Sequence, residues 1–349
     1  MENLEQIQNF DNENFVHPWE SMEDVGHNTR MFAEDADGIY LYDENGQKLI
    51  DGPGGMWCVQ IGYGRKEMAE AISAQILKVP YYSPWNMSAA PSALLAKKLA
   101  GFAPGDLKHV FFTTCGSTAV DSAIRFVHFY NNVLGRPRKK KVISREKSYH
   151  GSTYLSASMS GKSRDKEWLD TANERVHLLP DVNPSRCPEG MSVEDFLEEK
   201  ITDLETAIQT LGAENVGAFI AEPVLASGGV IIPPKGYHKR CLEVCRQHDV
   251  LYISDEVVTT FGRLGQLVCL QGSHRTPNTV HESGALVRRA HPLPCRGADR
   301  DGGCRKISGR FKELAGPRVF RPAGRAYPLP LRKPDQLLRR LQQQPSRQV

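Results

Sequence analysis

Four short apolar runs, separated by segments with helical spacing, set the layout of the chain. They are 108–115 (KHVFFTTC), 141–145 (KVISR), 216–224 (VGAFIAEPV) and 250–257 (VLYISDEV), each bounded by charge, Gly or Pro. Runs of this length rich in β-branched and apolar residues predict buried strands. Between them, Ala119, Ala123, Phe126 and Tyr130 share one face of a predicted helix, 193–211 interleaves acids with Phe196, Ile201, Leu204 and Ile208, and 239–248 precedes the fourth strand. Strands alternating with helices imply an α/β fold with a mostly parallel sheet and flanking helices. The first hundred residues differ. DENG at 43–46 joins two short runs as a hairpin, followed by a Gly-rich aromatic loop (52–64) and the helical pattern KEMAEAISAQILK, which together predict a small α+β lobe.

Candidate chemistry gathers at the strand ends. The first strand runs into Gly116, Ser117 and Thr118 and then a helix. Free helix N–H groups, a dipole and two hydroxyls make a cup for an anion; a plain helix cap by Ser117 or Thr118 is the alternative. Tyr149 and His150, before Gly151, follow the second strand, where open α/β sheets collect ligands; a turn is the alternative. Asp255 ends an apolar strand, and a carboxylate there needs a cationic partner. A protonated pyridine nitrogen would serve, and so would Arg263. Val257, two residues on, is expected on the same strand face as Asp255.

Composition divides the chain. Residues 1–270 carry 27 Lys and Arg against 36 Asp and Glu, whereas 271–349 carry 17 against 5. Fourteen of the fifteen isoleucines precede residue 271, and fourteen of the twenty-six arginines follow it. Little apolar area is left in the tail to offset chain entropy, so 267–349 is expected to be disordered. Its arginines lack interleaved aromatics, which argues against a nucleic-acid arm. No run of 18 apolar residues suggests a membrane span, and the acidic N-terminus is unlike a signal or transit peptide. Eight cysteines without a CxxC pair suit free thiols in a reducing compartment, so the chain is expected in the cytoplasm.

The blocks GMWCVQIGYGR (55–65), FFTTCGSTAVDSAIRF (111–126), YHGSTYLSASMSGK (149–162), AFIAEPV (218–224) and SDEVVTTFGRLG (254–265) are similar to those of class III pyridoxal-phosphate aminotransferases of fold type I. The ω-amino-acid:pyruvate type is the nearest. The resemblance covers about 15–266 and divides the chain into a small lobe (1–100), a partial large cofactor-binding domain (101–266) and an unmatched tail (267–349). It implies pyridoxal 5′-phosphate, with Gly116, Ser117 and Thr118 at the phosphate, Tyr149 stacked on the ring and His150 beside it. Asp255 would meet the pyridine nitrogen, Val257 the opposite ring face, Glu222 the ring hydroxyl side, and Trp57 the substrate. It further implies a homodimer acting on an amine or amino acid and a keto acid.

One residue is missing. The family's Schiff-base lysine lies about thirty residues beyond the aspartate, yet no lysine occurs between Lys239 and Lys306. Lys306 and Lys312 lie in a segment unlike a strand that presents an amine. The family pattern after GRLGQ begins Trp-Phe-Ala, and codons for Trp-Phe-Ala-Ser preceded by an extra T read Leu-Val-Cys-Leu, as at 267–270. A frameshift near residue 267 is therefore expected, giving an impaired transaminase or a non-catalytic cofactor-binding remnant.

Overall fold

The computed structural model describes residues 3–28, 30–105, 107–265 and 267–268, together with the backbone of 279–281 and 284–288. All of these belong to one compact unit, residues 1–291.

After helix α1 (Leu4–Asn14), an antiparallel sheet is formed by β1 (Ala33–Asp37), β2 (Tyr40–Asp43) and β3 (Lys48–Ile50). The predicted hairpin is the β2–β3 turn, where the Asp43 carboxylate accepts from the backbone N–H groups of Asn45 and Gln47 at 2.9 and 2.7 Å. That local bonding is why an Asp-Glu-Asn-Gly sequence turns here. A short helical turn, α2 (Gly54–Trp57), and two longer helices, α3 (Lys66–Lys78) and α4 (Ala90–Phe102), follow. Neither longer helix contains a buried residue.

The main body is built from β4 (Leu107–Phe112), α5 (Gly116–Val133), β5 (Lys141–Arg145), α6 (Tyr154–Met159), β6 (Val176–Leu179), α7 (Val193–Leu211), β7 (Val216–Ala221), α8 (Tyr237–Gln247) and β8 (Leu251–Asp255). Two further strands, β9 (Thr279–His281) and β10 (Gly284–Arg288), complete a seven-stranded sheet in the order β4-β10-β9-β8-β7-β5-β6. Pairing is parallel from β6 through β9, while β10 runs antiparallel to both β9 and β4. These two strands lie within the stretch 267–349 that composition sets apart. The remainder of the predicted tail, with Lys306 and Lys312, lies outside the described residues.

The sheet is covered on both faces, as its continuous apolar runs require. Strand β7 is buried along its whole length and divides its side chains by parity. Ala218 and Ile220 face Val120, Ile124 and Val127 of α5, while Phe219 and Ala221 face Leu204 and Ile208 of α7 and Cys241 and Cys245 of α8. Burying each large apolar side chain contributes roughly 1.5–3 kcal/mol before entropy is charged against it. The buried stripe of α5 is rotated from the predicted face: Ala119 and Ala123 are in the core, but Phe126 stands off it and packs edge-on against Phe111 with ring centroids 5.4 Å apart. Strand β6, only four residues long and at the sheet edge, was invisible to the pattern of apolar runs. No described helix is long and apolar enough to cross a membrane.

Candidate active site

The carboxyl ends of the parallel strands and the start of α5 enclose a cavity of about 390 Å³. Its wall contains Trp57, Gly116, Ser117, Tyr149, His150, Glu222, Asp255 and Val257, eight of the nine positions singled out from the sequence. The ninth, Thr118, is placed differently. Its hydroxyl accepts from the Cys115 N–H at 3.2 Å and donates to the Cys115 carbonyl at 3.0 Å. Thr118 is thus the capping residue among the alternatives, and Ser117 is left to face the cavity.

Ser117 is held at the cavity by a second loop. Its hydroxyl oxygen accepts from the backbone N–H of Ser152 at 3.0 Å, leaving its own proton to donate elsewhere. Gly151 makes the approach possible: a Cβ there would lie 2.6 Å from the Ser117 hydroxyl oxygen and 2.8 Å from its Cα, at a φ of +128°. The outcome is a hydroxyl and the first N–H groups of an 18-residue helix at one end of the cavity.

Asp255 lines the same cavity. Its carboxylate accepts from Nδ1 of His150 at 2.6 Å, with both side chains nearly sealed from solvent. Arg263, the alternative partner, instead donates to the Trp57 carbonyl at 3.3 Å. The Nε2 of His150 is buried with no hydrogen-bond partner among the described residues. Val257 departs from expectation: β8 ends at Asp255, and the Val257 N–H donates back to the Asp255 carboxylate at 3.3 Å in a turn. The side chain nevertheless reaches the cavity, close enough that a Cβ on Gly116 would sit 3.4 Å from it.

Glu222, just past β7, accepts from the Tyr149 N–H at 3.0 Å. Burial drives its pKa up from 4.5 to about 7, partly opposed by His150. Behind it, the buried Arg145 donates to the Glu222 carbonyl at 2.6 Å. A carboxyl whose pKa is raised in the fold binds its proton more tightly there than in the unfolded chain. Its contribution to stability is complete below about pH 4.5 and disappears as pH rises through about 7. Glu222→Gln should therefore overtake the natural chain in thermal midpoint progressively across that interval. Melting curves from pH 4.5 to 8 check this, and a constant offset between the two proteins would refute it.

Trp19 and Ser227 are among the cavity residues that escaped the sequence reading. Trp19 stands edge-on to Tyr149, with centroids 6.0 Å apart and an 80° interplanar angle. Ser227 lies in the turn after β7. Trp19 is a single aromatic in a polar stretch and gave no periodic signal, whereas the Ser-Gly-Gly of 227–229 after a buried strand was a usable turn signal.

Comparison with known proteins identifies the family. The family model "Aminotransferase class-III" matches residues 22–286, running past residue 266, where the blocks quoted above stop. An aminotransferase, y4uB, of Sinorhizobium fredii is 36% identical over 300 residues, 83% of this chain and 63% of its own. Vanillin aminotransferase of Capsicum annuum is 41% identical over 273 residues, 75% of this chain and 58% of its own. The omega transaminase of Pseudomonas jessenii in complex with PMP superposes with a TM-score of 0.79 at 33% identity, covering 81% of this chain and 65% of that one. The chain thus spans about three fifths of the length of these relatives. By family match and by fold, the chain belongs to the class-III aminotransferases.

Proposed function

We propose that this chain is the cofactor-holding part of a transaminase and that it takes pyridoxal 5′-phosphate or pyridoxamine phosphate through non-covalent contacts alone. In the intact reaction an amino group moves from an amine or ω-amino acid to a keto acid such as pyruvate. The observation that carries the reading is the enclosed His150–Asp255 pair, which lines the same cavity as Ser117 at the start of α5. The residues fit the group. Gly151 lets its loop close on Ser117 so that the Ser152 N–H fixes the Ser117 hydroxyl for an anion, Tyr149 and Val257 offer two surfaces for a ring, and the buried carboxylate of Asp255 can accept from a ring nitrogen. Bound there, the cofactor supplies a ring that withdraws electrons from the substrate carbon.

The chain's own residues orient that group and keep its nitrogen side away from water. His150 fixes the Asp255 carboxylate, and Glu222 is poised to share a proton near neutral pH. The strand beside β8 supplies no Schiff-base lysine. In register with Ser254 and Asp255, β9 carries Val280 and His281, and neither β9 nor β10 contains a lysine. This favours a non-catalytic product over a working enzyme, because losing one positioned acid–base group alone costs roughly 10² to 10⁴ in rate. A reading-frame change near codon 267 accounts for the loss, and sequencing that region of the gene tests it.

The decisive experiment mixes the full chain with pyridoxal 5′-phosphate, measures uptake by calorimetry, treats the complex with borohydride and maps modified peptides. Saturable uptake that dialysis reverses, with no single lysine fixed in stoichiometric yield, is the expected result. No uptake would overturn the cofactor reading, and one stoichiometric lysine adduct would overturn the non-covalent one. The family's homodimer and a cytoplasmic site belong to the same proposal. Exposed Leu77, Trp85 and Leu94 around α3 and α4 and the free Cys58 and Cys115 support them, and sedimentation of the full chain reads the first directly.

A further inference from the structure

A second cavity, of about 700 Å³, adjoins the first. Its wall includes Lys147, Lys162, Arg164 and Lys166 against two carboxylates, Glu146 and Asp165, and it shares Ser227 with the cofactor cavity. The cations are not equally committed. Lys147 pairs with Asp181, and Arg164 with Asp165 at 2.9 Å. Lys162 meets only a neutral group, donating to the Ser227 hydroxyl at 3.1 Å. Lys166 has no acceptor among the described residues, and burial holds its pKa below the usual lysine value. Neither ammonium is within ion-pair distance of a carboxylate among the described residues, although Glu146 and Asp165 line the same space. Partly buried ammonium groups left uncompensated are unfavourable unless an anion joins them.

We propose that this chamber is a carboxylate-binding annex of the cofactor site, in which Lys162, Lys166 and Ser227 hold the far carboxylate of an acidic substrate whose reacting end lies in the first cavity. The role in substrate selection rests on the cofactor reading above; the capacity to bind an anion does not. Ser227 lines both spaces, and its hydroxyl accepts from the Lys162 ammonium, so this charge is the one set beside the cofactor cavity. Neutral amines gain nothing from the annex. ω-Amino acids and dicarboxylic keto acids do.

The test uses the full chain and glutarate as probe, with glutaramide as its uncharged counterpart and sodium chloride at matched ionic strength. Lysines are acetylated briefly with acetic anhydride and read by mass spectrometry. Glutarate should slow modification of Lys162 and Lys166 several-fold while leaving the exposed Lys97 and Lys98 unaffected, and neither control should do so. A K162M/K166M variant, which keeps the apolar stems, should weaken glutarate binding by about 10-fold or more by calorimetry, in line with the loss of charge-assisted hydrogen bonds. Unchanged labelling, equal slowing at every lysine, or undiminished glutarate binding in the variant would overturn the annex. Pyridoxamine phosphate uptake is measured on the same samples. Uptake without glutarate protection refutes the annex alone, and protection without uptake refutes the cofactor reading while leaving an anion site.

Discussion

Asp255→Ala will weaken pyridoxamine phosphate uptake by roughly 10- to 150-fold, the loss expected when a buried charged hydrogen bond worth about 1.5–3 kcal/mol is removed. Asp255 is only 5% exposed, so water cannot take over its role. The substitution also strands His150, whose Nδ1 donates to that carboxylate and whose Nε2 already lacks a partner among the described residues. Asp255→Asn keeps the volume and the hydrogen bond from His150 but not the charge, and should lose nearly as much. Calorimetric titration of both variants, alongside circular dichroism to establish that the fold persists, provides the measurement. Affinity within 3-fold of the natural chain for Asp255→Ala would refute the role assigned to this carboxylate, a margin of about 0.7 kcal/mol.

Gly161→Ala will unfold the chain at markedly lower temperature. A Cβ at this position would lie 2.0 Å from the Arg145 carbonyl oxygen and 2.7 Å from the Glu146 Cα, both backbone atoms that no rotamer change can move. Gly161 is also tied on both sides, its N–H to the Ser148 carbonyl at 3.0 Å and its carbonyl to the Lys147 N–H at 3.2 Å. Relief therefore has to come from separating the end of β5 from the loop that carries Tyr149 and His150. Overpacking against backbone costs at least about 3 kcal/mol. That is a large fraction of the roughly 5–15 kcal/mol stabilising a typical domain. In scanning calorimetry it should appear as a midpoint lowered by about 6 °C or more. Gly190→Ala is a suitable comparison, because nothing lies within 4 Å of a Cβ there and only its left-handed backbone is penalised. Equal shifts for the two would show that crowding at Gly161 is unimportant.

The fold was legible wherever burial imposed one side-chain period. Strand β5 and helices α3 and α7 begin and end where the pattern predicts, because 141–145 is a bare apolar run and 66–78 and 193–211 each keep a helical stripe. The parallel sheet followed from the alternation alone. Less accessible were features set by neighbours far along the chain. Strand β6 has too few apolar residues to announce itself, and β9 and β10 are recruited by the vacant edges of β8 and β4 rather than by their own composition. At the site, residue type and strand-end position found Ser117, Tyr149 and Asp255. They could not tell that Thr118 would turn back to cap its helix, or that His150 would be the partner of Asp255 across 105 positions of chain. Pairings of that kind are decided by three-dimensional proximity and have no local signal.

The same long reach has a kinetic consequence. Ser117 meets Ser152 over 35 positions, Tyr149 meets Glu222 over 73, and His150 meets Asp255 over 105, each link spanning at least one crossover of the parallel sheet. Closing such loops incurs entropy before the contacts that reward it exist, so the pocket can mature only after β5, β7 and β8 have aligned. An apo chain emerging from the ribosome carries no fragment of the pocket able to recruit a ligand early.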